Sequence, residues 1–96
     1  MKLTWTRAAA AHRREIRAFI ALDNPAAALA LDELFTEKAG RLAEHPEIGR
    51  IGRVSGTREL VVHQNYILIY DTQDNVLRIL HVLHAAQKWP PDVTKR

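Results

Sequence analysis

Histidine and arginine carry most of the chemistry available to this chain. An unperturbed histidine titrates near pH ~6.5, so His84, at the end of a β-rich run, can give or take a proton near neutrality. His63 ends an earlier run of the same kind and has the same capacity. Arg50, Arg53 and Arg58 recur in a short glycine-containing stretch. Their planar guanidinium forks match phosphate oxygens two N–H groups at a time. Trp89 offers a ring on which a nucleobase can stack. The residue types leave plainer roles open: a strand-ending histidine, surface arginines, an ion pair at Arg58, a tryptophan packed over a sheet edge. His81 falls on the opposite face of the last strand from His84 and reads as structural, while His12 and His45 read as solvated helix residues. There is no cysteine, which excludes disulfides, thiolate zinc sites and cysteine nucleophiles.

The chain that must position these residues has 96 amino acids, enough for one domain spanning 1–96 and no second core. Its hydrophobic share of 47% and charged share of 26% are those of an ordinary globular protein. No apolar run approaches the roughly 18–20 residues of a membrane span, and Met1–Arg7 lacks the apolar core of a secretory signal. The expectation is a cytoplasmic protein with no membrane contact. The net charge of +3 is modest, but its distribution is uneven. Arg7, Arg13, Arg14 and Arg17 crowd the first third, whereas Asp23, Asp32, Glu33 and Glu37 follow as a group. Segregated charge offers a polyanion one face only.

Local patterns place the elements. Lys2–Trp5 alternates as a short strand, and Thr6 can cap a helix from Ala8 to about Leu22. Ile16, Phe19 and Ile20 make its apolar stripe, with Arg13, Arg14 and Arg17 largely off it as a solvated face. Asn24-Pro25 reads as N-cap plus first-turn proline of a second helix, which runs to about Glu44 before His45-Pro46 stops it. Pro46 to Gly56 reads as a surface loop entering a strand near Arg53. Arg58–His63, Tyr66–Asp71 and Val76–Leu83 form an antiparallel meander, joined by Gln64-Asn65 and by Thr72–Asn75. A short tail from Ala85 to Arg96 contains Trp89-Pro90-Pro91. The order β-α-α-β-β-β predicts an α+β fold, with a helical hairpin covering one sheet face.

That order, with Gly56-Thr57-Arg58-Glu59-Leu60-Val61-Val62, Tyr66-Ile67-Leu68-Ile69-Tyr70 and the closing Ile79–His84, resembles the RelE/ParE superfamily of type II toxin–antitoxin toxins. The resemblance covers nearly the whole chain. It implies a mainly antiparallel, microbial-RNase-like sheet under an N-terminal helical hairpin, and a toxin that inhibits growth. Two chemistries occur on that fold. RelE-like members cleave mRNA on the ribosome, whereas ParE-like members poison DNA gyrase without cutting anything.

Cleavage by internal attack of a 2′-OH requires a base, an acid and cations that stabilise the phosphorane-like charge, but no metal or other cofactor. Positions often basic in RelE-like members are here Ile67, Ala85 and Ala86. The stretch Gly56–Tyr70 followed by His84-Ala85-Ala86 is instead similar to the YafQ-like branch, whose catalytic histidine precedes two alanines. The resemblance implies His84 as general acid or base, with His63 one strand step beyond Val61, which replaces another functional histidine. Asn65 falls where that branch has a functional aspartate. The leading expectation is a ribosome-dependent mRNA endonuclease using His84 and His63, with Arg50, Arg53, Arg58, Asn65 and Trp89 on the RNA. The alternatives are gyrase inhibition by binding, or a chain that only binds its antitoxin. In each case the expected partner is a cognate antitoxin whose acidic, amphipathic tail folds on the toxin.

Overall fold

The computed structural model describes residues 1–90; Pro91 to Arg96, the end of the tail, lie outside the described residues. The chain runs β1 (Lys2–Trp5), α1 (Arg7–Ala21), α2 (Pro25–Glu44), β2 (Arg50–Ile51), β3 (Arg58–His63), β4 (Tyr66–Gln73) and β5 (Val76–His84). The α+β reading is therefore correct, with one addition. The loop after α2 contributes a two-residue strand at Arg50–Ile51, ahead of the expected entry near Arg53, and it pairs with β3. The sheet order is β1-β5-β4-β3-β2. Only β1 is parallel to its neighbour, because the helical hairpin carries the chain across one face before β5 returns beside it.

Local chemistry fixes the boundaries. The Thr6 hydroxyl accepts from the Ala9 N–H at 3.1 Å, and the Asn24 side chain accepts from the Ala27 N–H at 3.0 Å. Such caps are each worth about 1 kcal/mol. Asp74 and Asn75 both have positive φ, 52° and 62°. That is the left-handed pair a two-residue hairpin loop requires, and it sets the β4–β5 register. The two helices are tied by Arg13, which donates to the Asp32 carboxylate at 2.7 Å and stacks 4.6 Å above the Trp5 ring. Arg17 reaches the same carboxylate at 3.4 Å. The expected solvated arginine face is thus an interhelical clamp in part.

The main core lies between hairpin and sheet, built on Phe35, Ala39, Leu42, Leu68, Tyr70, Leu77, Ile79 and Val82. Tyr70 is fully buried, and its hydroxyl donates to the Pro46 carbonyl while accepting from the Gly49 N–H. A smaller cluster of Ile67, Ile69 and Leu83, covered by Trp89, occupies the other sheet face. Phe19 belongs to neither and is 75% exposed at the hairpin tip. Its place in the apolar stripe did not put it in the core. No helix among the described residues is long and apolar enough to cross a membrane.

Candidate functional site

Strand pairing decides which candidate residues meet. Directly paired residues on neighbouring strands share a sheet face. His63 pairs with Tyr66, and Tyr66 pairs with His84. Tyr66 packs against the main core, so this row lies on the helix-covered face at the β3–β4 turn end. The Tyr66 ring meets His84 edge-on at 5.3 Å and Phe35 edge-on at 5.9 Å. Asn65 sits in the turn, its carbonyl accepting from the Ala85 N–H at 2.8 Å.

A register shift produces this placement of His84. Ile69 pairs with His81 but Tyr70 pairs with Ile79, leaving Leu80 as the extra residue of a bulge. Strict alternation puts His84 on the face of Arg78. The bulge instead puts it on the face of Leu77 and Ile79.

Arg50 and Arg53 are elsewhere. Arg50 pairs with Glu59, and Glu59 with Ile69, which belongs to the cluster on the open face. The Glu59 carboxylate, its side chain only 1% exposed, takes both guanidinium groups. Arg50 donates to Oε1 at 3.0 Å, and Arg53 donates to Oε1 at 3.1 Å and to Oε2 at 3.2 Å. The Arg53 backbone N–H adds a further bond to Oε2 at 3.0 Å. Burial pushes the Glu59 carboxyl up, but the hydrogen bonds from Arg53 and Arg50 outweigh it and hold its pKa below the usual carboxylate range. Sequence reasoning passed over Glu59. Its signal was an acid at an inward-alternating strand position, with two arginines closely preceding it.

Arg58 is separated from both groups. It pairs with Tyr70 on the helix-covered face, and its guanidinium donates to the carbonyls of Gly49 at 2.7 Å and Glu47 at 3.3 Å. From Arg58 to His63 is five steps along β3, roughly 16 Å at strand rise. One scissile phosphate cannot touch both.

The environment of His84 limits its proton chemistry. Its Nδ1 accepts from the Ala86 N–H at 3.0 Å, and its backbone N–H donates to Gln87 Oε1 at 2.8 Å. An accepting Nδ1 leaves the proton of the neutral ring on Nε2. The ring thus presents a donor. Freeing Nε2 as a base, or charging the ring as an acid, puts a proton on Nδ1 facing the Ala86 N–H. Trp89 is folded inward, 4.8 Å from the His81 ring and over the Ile67 cluster. Among the described residues, no group of three or more histidines and carboxylates is placed to hold a metal ion.

A helical hairpin on one face of a mainly antiparallel sheet, entered by a parallel first strand, is the architecture of RelE/ParE toxins. Residues 3–89 match the family described as "ParE toxin of type II toxin-antitoxin system, parDE", and the chain belongs to that family. It is 40% identical over 90 residues to a "Putative toxin Y4kP" of Sinorhizobium fredii, covering 93% of each chain. It is 35% identical over 86 residues to "Toxin RelE2" of Caulobacter vibrioides, covering 90% of this chain and 97% of that one. Among solved structures, it superimposes on the "Chromosomal ParDE TA system from P. aeruginosa" with a TM-score of 0.79 at 25% identity, over 88% of this chain and 95% of that one. The protein is therefore a toxin of a type II toxin–antitoxin system, and such a module implies a cognate antitoxin.

Proposed function

We propose that this toxin acts by binding its target, DNA gyrase, in the cytoplasm, rather than by cutting mRNA. The observation that carries this reading is the separation of the candidate catalytic groups. His84 and His63 lie with Tyr66 on the helix-covered face, while Arg50 and Arg53 lie on the open face, bound to Glu59. In-line attack by a 2′-OH needs the acid, the base and the charge-stabilising cations around one phosphate. A toxin that works by shape and charge has no such requirement.

The antitoxin in this reading silences the toxin by covering its surface with an acidic, amphipathic tail. The half-exposed Arg50 and Arg53 side chains, two cations around one buried carboxylate, leave a net positive edge for it. The test is a paired assay. Purified toxin is added to gyrase supercoiling reactions and, separately, to translating ribosomes whose mRNA is mapped for breaks. Inhibited supercoiling with intact mRNA is the expected result. Codon-positioned breaks with unaffected gyrase would overturn it.

One observation favours the second reading, ribosome-dependent mRNA cleavage. The His63–Tyr66–His84 row puts two histidines on either side of a tyrosine, on one face. In that reading His84 and His63 exchange the protons, and cations from the ribosome supply the charge that Arg50 and Arg53 do not bring to that face.

A further inference from the structure

The segment Ala85–Pro90 turns back from the end of β5 and is held by rings. The His81 ring lies 5.6 Å from the His12 ring on α1, nearly parallel to it, and 4.8 Å from the Trp89 ring. Trp89 in turn covers Ile67, Ile69 and Leu83 on the open face. Gln87 fastens the base of the segment, accepting from the His84 N–H with its side chain and donating its backbone N–H to the His84 carbonyl at 2.9 Å. His12 Nδ1 and Trp89 Nε1 are buried without a hydrogen-bond partner. The segment meets β5 here through the packing of these rings, beside a cavity of about 520 Å³.

We propose that the His12–His81–Trp89 stack is an acid-opened latch that holds Ala85–Pro90 over the apolar strip Ile67, Ile69 and Leu83. An imidazolium at His81 in this stack faces buried rings and a second histidine. When the segment swings away, the charged ring meets water. Burial, and then the neighbouring His12, hold the His81 pKa below its ordinary value in the closed arrangement. The titratable and charged groups facing the stack are His12 and Glu15 on α1, Tyr66 on β4, His84 on β5 and Lys88 in the segment itself. Glu15 is the only acid among them, and with it in place the His81 pKa still lies below its ordinary value.

The sign follows from proton uptake. The open segment binds the proton near pH ~6.5 and the closed one only at lower pH, so the stabilisation of the closed form is fully present above ~6.5 and weakens below it. Between the two values the closed-to-open ratio falls by up to about tenfold per pH unit. Opening uncovers an apolar strip on the same face as Arg50 and Arg53, giving that face a second, acid-dependent surface.

The test follows the Trp89 indole N–H signal and amide exchange at Ala85–Lys88 in the full-length chain as pH is lowered through the histidine range. Wild type is expected to show both responses together, with the rest of the sheet protected. His81→Gln, planar but unable to take a proton, is expected to lose most of that response, His12 being the other imidazole of the stack. If His81→Gln fails to fold, His12→Gln serves instead. It removes one of the two causes of the lowered pKa and is expected to shrink the acid response. A wild-type segment unmoved by acid, or a response undiminished in the variants, would overturn the latch.

Discussion

On the open face of the sheet, Arg50, Arg53 and Glu59 satisfy one another through close charge-assisted bonds; on the helix-covered face, His63, Tyr66 and His84 meet in a row along paired strands. The first group is charged, and its geometry is set by a carboxylate that is almost wholly buried. The second is polar and aromatic, and its central ring is set by the core through Phe35. The contrast shows how one sheet distributes histidines and arginines that are near in sequence to opposite faces. Alternation sends neighbours in sequence to opposite faces, and only cross-strand pairing brings them together.

The largest effect should come from Phe35→Ala, which removes the fully buried ring that props Tyr66. A loss of about 3–5 kcal/mol is expected, because a phenyl-sized cavity opens in the main core. Urea unfolding should show a much lower midpoint, with the helix-covered row disordered and the open-face cluster of Glu59 losing only what the whole fold loses. Glu59→Gln should act the other way round. It removes the charge that holds two guanidinium groups, at a cost of about 1–2 kcal/mol, since the half-exposed arginines recover part of their hydration. The Glu59 pKa is depressed, so its stabilisation is fully present above the unfolded value near ~4.3 and is lost as pH falls through the folded one. Thermal melts of wild type and Glu59→Gln should therefore converge in acid. A gap that persists below that window would show that shape, not charge, holds the loop.

The two faces were unequally legible from residues alone. Caps at Thr6 and Asn24, and the Asp74-Asn75 turn, mark element boundaries because a single side chain or backbone angle decides each. The bulge at Leu80 has no such signal. It inserts one extra residue into β5 opposite β4, and it reverses the alternation that otherwise groups His84 with Arg78. Arg50, Arg53 and Arg58 look like one cluster in sequence. Strand pairing sends Arg58 to Tyr70 and Arg50 to Glu59, and the loop after β2 brings Arg53 to the same carboxylate, a partner invisible without the sheet. Phe19 misled for a related reason: helical spacing locates a stripe, but tertiary packing decides how much of that stripe is covered.

A smaller effect tests how the helix-covered row is held. Tyr66 meets its neighbours through its ring, so Tyr66→Phe should change stability by less than about 0.5 kcal/mol and leave growth arrest intact. A large loss of toxicity in a Tyr66→Phe variant of normal stability would mean that the hydroxyl touches substrate, and would favour the RNA-cleaving reading.

The most direct measurement is growth arrest by His84→Asn, induced to wild-type levels and shown to be folded. Asparagine can still accept from the Ala86 N–H, as Nδ1 does, but cannot transfer protons at neutral pH. A toxin that acts by binding should arrest growth within a few-fold of wild type, with supercoiling still inhibited. A fall of roughly 10²–10⁴-fold, the usual cost of removing a general acid or base, would contradict the account.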